Sequence, residues 1–483
     1  MPDLFATHRS LLDRALERRA QGRTTAALLA VPPIDQATAK AQVDALHDRR
    51  FPLPGIRARD WLGAEASPYG VDLGIRYPVR STTAVVAAAS AAQPAWRATA
   101  LDRRVGIALE AVRRWASEAP LLAGAAMHGS GQPWPMAAAG GTVDALERGL
   151  DALAAAYETL RTGDAQPAGV AAVLAGMVSP AGRVWPSILA NLVCGNVVVV
   201  APQPAAVLAL ALSVRTFRDV LAAAGAPADA VQLAVAPGAG GELARDPAIR
   251  VIDDATAPVL GVNPVVIEST RDLDGLLAGL ARAITRFSGQ GALSPRVVLA
   301  PSEGAFTDRG PVGFLEMGRR LAAAVDRLLA DQSATDSLCG ALRDAAVLDA
   351  ITTCRGYGRL VRASTPIGLT DFPEARTASP LIMATHGSAE SVYGVERAGP
   401  ITFLVRTGDV GEAIERAAWI AQESGASRLV VHSQRDHVVE AAGDALGSAG
   451  ITLSCGDPGD TDRTMVDGHP PIDEAFVRRG LGA

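Results

Sequence analysis

The chain's thiols are Cys194, Cys339, Cys354 and Cys455, and no two form a C-x-x-C pair. That spacing argues against a structural zinc site or a disulfide framework. Cys194 lies among apolar residues just before a β-branched run and reads as a small core residue. Cys339 and Cys354 fall on or near helical stretches with arginines close by. Such a setting can lower a thiol pKa and make a nucleophilic thiolate; the alternative is two more core residues. Lys40 is the one lysine, in an ordinary helical Ala-Lys-Ala-Gln context, so no other amine could form a Schiff base. The seven histidines are scattered. His432 and His437 are five apart across a Gln-Arg-Asp turn, off the i,i+4 spacing of a helical metal pair, and no metal site is expected. Asp253-Asp254 reads either as paired carboxylates or, preferably, as a strand end entering a solvated turn. Gly238-Ala-Gly240-Gly241 lacks the full G-x-G-x-x-G spacing and reads as a loop rather than a phosphate cradle. Ser288, in Phe-Ser-Gly-Gln, is no nucleophile elbow because G-x-S-x-G is absent there.

These residues need a scaffold, and the rest of the chain describes one. It has 483 residues, with 45 basic against 51 acidic side chains and a net charge of -6. There is no basic footprint, so neither nucleic acid nor an anionic membrane is an expected partner. The greasiest stretch, 197–214, is interrupted by Pro202, Gln203 and Pro204 and fits a buried strand, turn and helix better than a membrane span. The opening Met-Pro-Asp-Leu-Phe shows no secretory pattern, and a soluble cytoplasmic protein is expected. Residues 8–47, 80–126 and 143–160 read as helices, with Thr142 as a cap for the last. From about residue 170 the texture changes to strands alternating with helices. Strands are expected at 170–178, 197–200, 231–235, 249–252, 264–267, 296–299, 401–405 and 428–432. Helices are expected at 205–223, 272–286, 314–329 and 410–423. Val197-Val-Val-Val has no polar alternation, as in a strand buried on both faces of a parallel sheet. The fold class is α/β.

An ordered set of short stretches adds to this reading. They include Ser67-Pro-Tyr-Gly, Ala95-Trp-Arg97, Gly195-Asn196-Val-Val-Val-Val, Gly261-Val-Asn263-Pro-Val-Val-Ile267-Glu, Phe287-Ser-Gly-Gln290, Glu396-Arg-Ala-Gly399-Pro400 and Asp473-Glu-Ala-Phe-Val477. From about residue 60 to the C-terminus the chain resembles the aldehyde dehydrogenase superfamily, most closely its phenylacetic-acid-degradation branch. The resemblance implies a Rossmann-like cofactor domain plus a second α/β domain, the former catalytic one. The expected divisions are a helical N-terminal segment over 1–78, a degenerate dinucleotide-binding-like domain over 79–256, the second domain over 257–445 and a shortened return segment over 446–483.

The family oxidises aldehydes with a cysteine thiolate, a water-activating glutamate, an oxyanion-holding asparagine and a lysine on the cofactor ribose. Carried onto this chain, the resemblance puts Ala292 after Gly289-Gln290-Gly291 in the place of the nucleophile. Pro258, or Val259 with a one-residue slip, takes the place of the base, and Ala201 that of the lysine. Arg183 falls near the oxyanion asparagine. The tail at 453–462 reads as a polar loop, where the family extends a pairing strand. The resemblance implies that one helix between Asp253 and Gly261 is deleted. Glu396 matches a cofactor-ribose carboxylate, or else is a surface residue. Arg183, Asn263, Gln290 and Ala292 are the candidate pocket residues. Losing a nucleophile that acts as part of a covalent unit costs on the order of 10⁶ in rate. The expectation is therefore a non-oxidising homologue: a pseudoenzyme or assembly partner, with no cofactor expected where the ancestor would use NAD or NADP. The alternative is a tunnel turned to lyase, cyclase or transferase chemistry on a small aromatic or carbonyl/acid metabolite. A residual oxidoreductase using Cys339 or Cys354 is the third reading. The oligomeric state stays open.

Overall fold

The structure, a computed structural model, describes residues 3–21, 27–63, 65–162, 166–176, 180–254, 261–397, 399–447 and 450–455. They fall into two compact units, one of residues 3–67 and 71–254, the other of 68–70 and 261–455.

The first unit opens with α1 (Leu4–Ala20) and α2 (Gln36–Asp44), each capped by an aspartate that accepts a main-chain N–H. A short antiparallel pair follows, β1 (Asp60–Leu62) with β2 (Tyr77–Val79). The Ala-Leu-Arg pattern then yields α3 (Thr82–Arg97), α4 (Leu101–Ser117), α5 (Ala119–Ser130), α6 (Trp134–Ala138) and α7 (Asp144–Thr162). Thr142 does not cap α7. It lies in a π-helical turn, Ala139–Val143, that runs α6 into α7, and its hydroxyl donates back to the Ala137 carbonyl at 2.9 Å.

Four parallel strands form this unit's sheet in the order β5-β4-β3-β6. They are β3 (Val170–Leu174), β4 (Val197–Ala201), β5 (Val231–Leu233) and β6 (Ile249–Asp254). β3 and β4 pair in register from Val170↔Val197 to Leu174↔Ala201, and every residue of both is buried. That is why neither alternates polar with apolar. Between the strands run α8 (Pro180–Cys194), α9 (Leu208–Ala223) and the five-residue α10 (Ala239–Leu243). Ser213 of α9 joins two tryptophans. Its carbonyl accepts from Trp115 Nε1 at 3.1 Å and its hydroxyl from Trp185 Nε1 at 2.8 Å. The two indoles stack with centroids 5.0 Å apart.

The second unit is a seven-stranded sheet in the order β11-β12-β13-β8-β7-β14-β15, parallel except for β11. In chain order its elements are β7 (Asn263–Ile267), α11 (Leu273–Thr285), β8 (Pro295–Pro301) and a hairpin of β9 (Ala305–Thr307) and β10 (Gly310–Val312). Next come α12 (Phe314–Ala330), α13 (Gln332–Leu338), α14 (Ala346–Cys354), β11 (Arg359–Arg362) and β12 (Leu381–His386). The last are α15 (Glu390–Tyr393), β13 (Ile401–Thr407), α16 (Val410–Glu423), β14 (Arg428–His432), α17 (Asp436–Leu446) and β15 (Thr452–Cys455). The expected β13–α16–β14 unit exists, but its crossover passes two strands, since β8 and β7 lie between β13 and β14. The polar tail departs from the loop expected of it. Thr452–Cys455 is an edge strand in parallel register with Arg428–Val431, and residues 456–462 lie outside the described ones.

Candidate functional site

The most constrained backbone in the second unit is the turn between α11 and β8. Phe287, Ser288 and Gly289 are three successive left-handed residues, with φ of 52°, 49° and 65°. Non-glycine residues in that region cost on the order of 1–3 kcal/mol each and persist only when their surroundings fix them. Here they do. The Phe287 ring is buried, and the Ser288 hydroxyl donates to the Gly340 carbonyl at 2.7 Å. A Cβ on Gly289 would lie 2.5 Å from the Gly399 carbonyl oxygen, so only glycine fits.

Two of the expected pocket residues, Gln290 and Asn263, clamp the turn. Gln290 donates its Nε2 to the Ala341 and Phe287 carbonyls at 2.9 and 3.2 Å, and its Oε1 accepts from Arg343 N at 3.0 Å. Asn263, at the start of β7, donates its Nδ2 to the Ala292 and Gly261 carbonyls at 2.7 and 3.2 Å, and its Oδ1 accepts from Arg428 N at 3.2 Å. Ala292 is held through its own carbonyl, is half-buried, and offers only a methyl group. Pro258 and Val259, with the expected helix deletion, lie outside the described residues.

Arg296 heads β8 and is 4% exposed. It donates to the Arg397 carbonyl and, at 3.4 Å, to that of Gly291. Glu396 is half-buried; burial pushes its carboxyl up, and the charge of Arg296 opposes that. The thiols offer no ready nucleophile. Burial pushes Cys339 up to about 12 and raises Cys354, which Arg397 only partly offsets. Cys194 is likewise buried and pushed up to about 12.

In the first unit, Arg183 is half-buried on α8, and its charge helps lower Arg148, which burial brings down to about 10. Asp253 and Asp254 are not a pair. Strand alternation turns Asp253 inward and Asp254 out. The expected strand end is there, with the turn after it outside the described residues, and the Asp253 carboxylate is buried and accepts from the Ser187 hydroxyl and, at 3.2 Å, from Asn191 Nδ2. Gly238 is left-handed and precedes α10, so the glycine run opens a helix instead of forming a plain loop. His432 is buried and His437 exposed, and no group of metal-ligating side chains occurs among the described residues. No described helix is long and apolar enough to cross a membrane.

The arginines around the turn, Arg296, Arg343 and Arg428, were not candidates from sequence. In an arginine-rich chain none has telling spacing. The one available signal was Arg296, a charge heading the apolar run Val297-Val-Leu-Ala300.

Comparison with known proteins gives a consistent picture. Residues 78–255 match the aldehyde dehydrogenase family. A NAD-dependent aldehyde dehydrogenase from Burkholderia multivorans superposes with a TM-score of 0.92 at 30% identity, over 99% of this chain and 97% of that one. A 1-pyrroline-5-carboxylate dehydrogenase (R100A mutant) from Thermus thermophilus shares the fold, with a TM-score of 0.71 at 16% identity over 89% of this chain and 91% of that one. A sulfoacetaldehyde dehydrogenase (acylating) from Cupriavidus necator is 27% identical over 308 residues, and the match spans 60% of each protein.

Proposed function

The chain belongs to the aldehyde dehydrogenase family, and from that premise we propose that it is a non-oxidising member, a pseudoenzyme or assembly partner. The observation that carries the reading is Ala292. It follows Gly289-Gln290-Gly291 on a turn whose backbone is fully held, and it supplies no atom that can attack a carbonyl. The buried thiols support the same reading. Protonated at neutral pH, Cys339 and Cys354 do not replace a thiolate.

The family implies NAD or NADP. In open α/β sheets a dinucleotide lies outside the carboxyl ends of the strands. Here β4 ends in Ala201, followed by Pro202, so the position the resemblance gives to the ribose-binding lysine carries no charge. The Asp253 carboxylate at the end of β6 is already engaged by Ser187 and Asn191. Ala201 and the engaged Asp253 do not fit a dinucleotide.

The ligand, in this reading, is a small aromatic or carbonyl/acid metabolite, and the phenylacetic-acid branch suggests the aromatic class. A second reading, NAD-dependent oxidation, is favoured by the name of the Burkholderia multivorans relative. One experiment separates the two. Purified protein is incubated with NAD or NADP and a panel of aliphatic and aromatic aldehydes, alongside Ala292→Cys. No reduced nicotinamide is expected from the wild type. Turnover by the wild type that disappears in Cys339→Ser or Cys354→Ser would overturn the non-oxidising reading.

A further inference from the structure

A cleft of about 540 Å³ opens in the first unit between the start of α1, one face of α4 and the end of α9. Hollows of that size, apolar with a few placed charges, are where proteins hold small molecules. Leu4, Phe5, Ile107 and Val220 are among its walls, and Ile107 and Val220 are buried. On α4 the lining residues Arg103, Ile107, Glu110 and Arg114 follow one another at helical spacing, so they form one stripe along the cleft.

The charges of the cleft are unevenly matched. Its acids already have partners. Glu110 accepts from His8, Arg113 and Arg114. Asp3 caps α1 by accepting from Ala6 N at 3.0 Å. Asp102, in the first turn of α4, supports the charge of nearby Arg9. Of the two arginines, Arg114 spends its Nε on Glu110 at 2.8 Å. Arg103 is exposed and pairs with no carboxylate among the described residues. Its Nη2 donates to the Ala224 carbonyl at 2.7 Å, which carries the side chain across from α4 to the end of α9. About 16 Å of helix separates Arg103 from Arg114 at 1.5 Å per residue, and each is tied at its own end, so they do not share one head group.

We propose that this cleft binds an amphipathic monocarboxylate, its carboxylate on Arg103 and its apolar body along Ile107 between Phe5 and Val220. A guanidinium presents paired N–H donors to the two oxygens of one carboxylate. A neutral chain would gain the apolar contact without the ion pair, and an amine would meet acids that are already bonded. Occupancy would also fasten α1, because Leu4 and Phe5 open that helix. The site lies in the first unit and stands whether or not the chain oxidises aldehydes.

The test is calorimetric titration of the full chain with octanoate, 4-phenylbutyrate, 1-octanol and octylamine, each below the concentration at which it aggregates. Saturable binding of at least one acid is expected. Tighter octanoate would mark an alkyl body, tighter phenylbutyrate an aryl one. Octanol should bind at least tenfold more weakly than the better acid, the scale of one charged hydrogen bond, and octylamine not at all. Arg103→Met should bring that acid down to the level of octanol. Ala223→Phe, at an exposed residue of the cleft, fills the space and should abolish binding. Ala222→Phe, at its exposed neighbour outside the cleft, should not. Amide exchange in residues 4–20 should slow when the acid is bound. The proposal is overturned if neither acid saturates, if octanol or octylamine binds as tightly, if Arg103→Met or Ala223→Phe binds the acid like the wild type, or if exchange in residues 4–20 ignores the ligand.

Discussion

At the scale of single residues, the candidate site is a piece of backbone held by side chains, and that decides which substitutions matter. Gly289→Ala places a methyl group 2.5 Å from the Gly399 carbonyl oxygen and 2.7 Å from Pro400 Cα, at a φ that disfavours any side chain. A loss of about 2–4 kcal/mol is expected, read as a lowered urea midpoint at unchanged slope. A midpoint equal to the wild type's would show that the turn yields without cost. The Gly-Gln pair and Asn263 were legible in the sequence as positions, but not in their roles. Both amides spend their hydrogen-bonding capacity on carbonyls and N–H groups that come together only in the folded unit. Arg343 was invisible because it meets the turn through its main-chain N–H, which no side-chain pattern announces.

At the scale of elements, apolar texture was a good guide wherever burial was complete. The run at Val197 became a strand with every side chain inside, and Val410–Glu423 became the helix its pattern describes. The misses have local causes. Pro202 and Pro204 delay α9 to Leu208, and β3 stops at Leu174 short of the expected 178. Thr142 looked like a cap because a π-helical turn keeps helical composition while changing the hydrogen-bond register. How α1 seats on α4 was equally hidden. It depends on Gly106, where a Cβ would meet Phe5 N at 2.5 Å and Phe5 Cα at 2.9 Å. Gly106→Ala should therefore push α1 off α4. The expected cost is about 1–3 kcal/mol, with amide exchange in residues 4–20 rising more than in β3 or β4. Uniform exchange across the first unit would contradict that hinge-like response.

At the scale of the molecule, two buried groups of the first unit set its response to acid. His128 accepts or donates a hydrogen bond with the Ser67 hydroxyl at 2.8 Å, and burial holds its pKa at about 4. Glu110 is bonded by His8, Arg113 and Arg114; these bonds outweigh its burial and hold it at about 2. In both cases the unfolded chain takes up the proton first, so acid favours unfolding. The contribution of His128 is complete above its unfolded value near 6.5 and is lost as pH falls through about 4. That of Glu110 is complete above about 4.5 and is lost as pH falls through about 2. Each amounts to about 3 kcal/mol. Denaturation midpoints measured across this range should fall in two stages. His128→Gln should flatten the upper stage and Glu110→Gln the lower. A profile that neither variant changes would refute both assignments. The apolar interiors of the two units, meanwhile, share no residue. One runs from Leu11 to Val251, and the pair flanking the seven-stranded sheet runs from Val262 to Leu446. Only residues 68–70 of the second unit precede residue 254 among the described residues. Hybrid genes that exchange the second unit, with residues 68–70, for that of an aldehyde-oxidising relative would ask which unit governs activity while leaving each apolar interior whole.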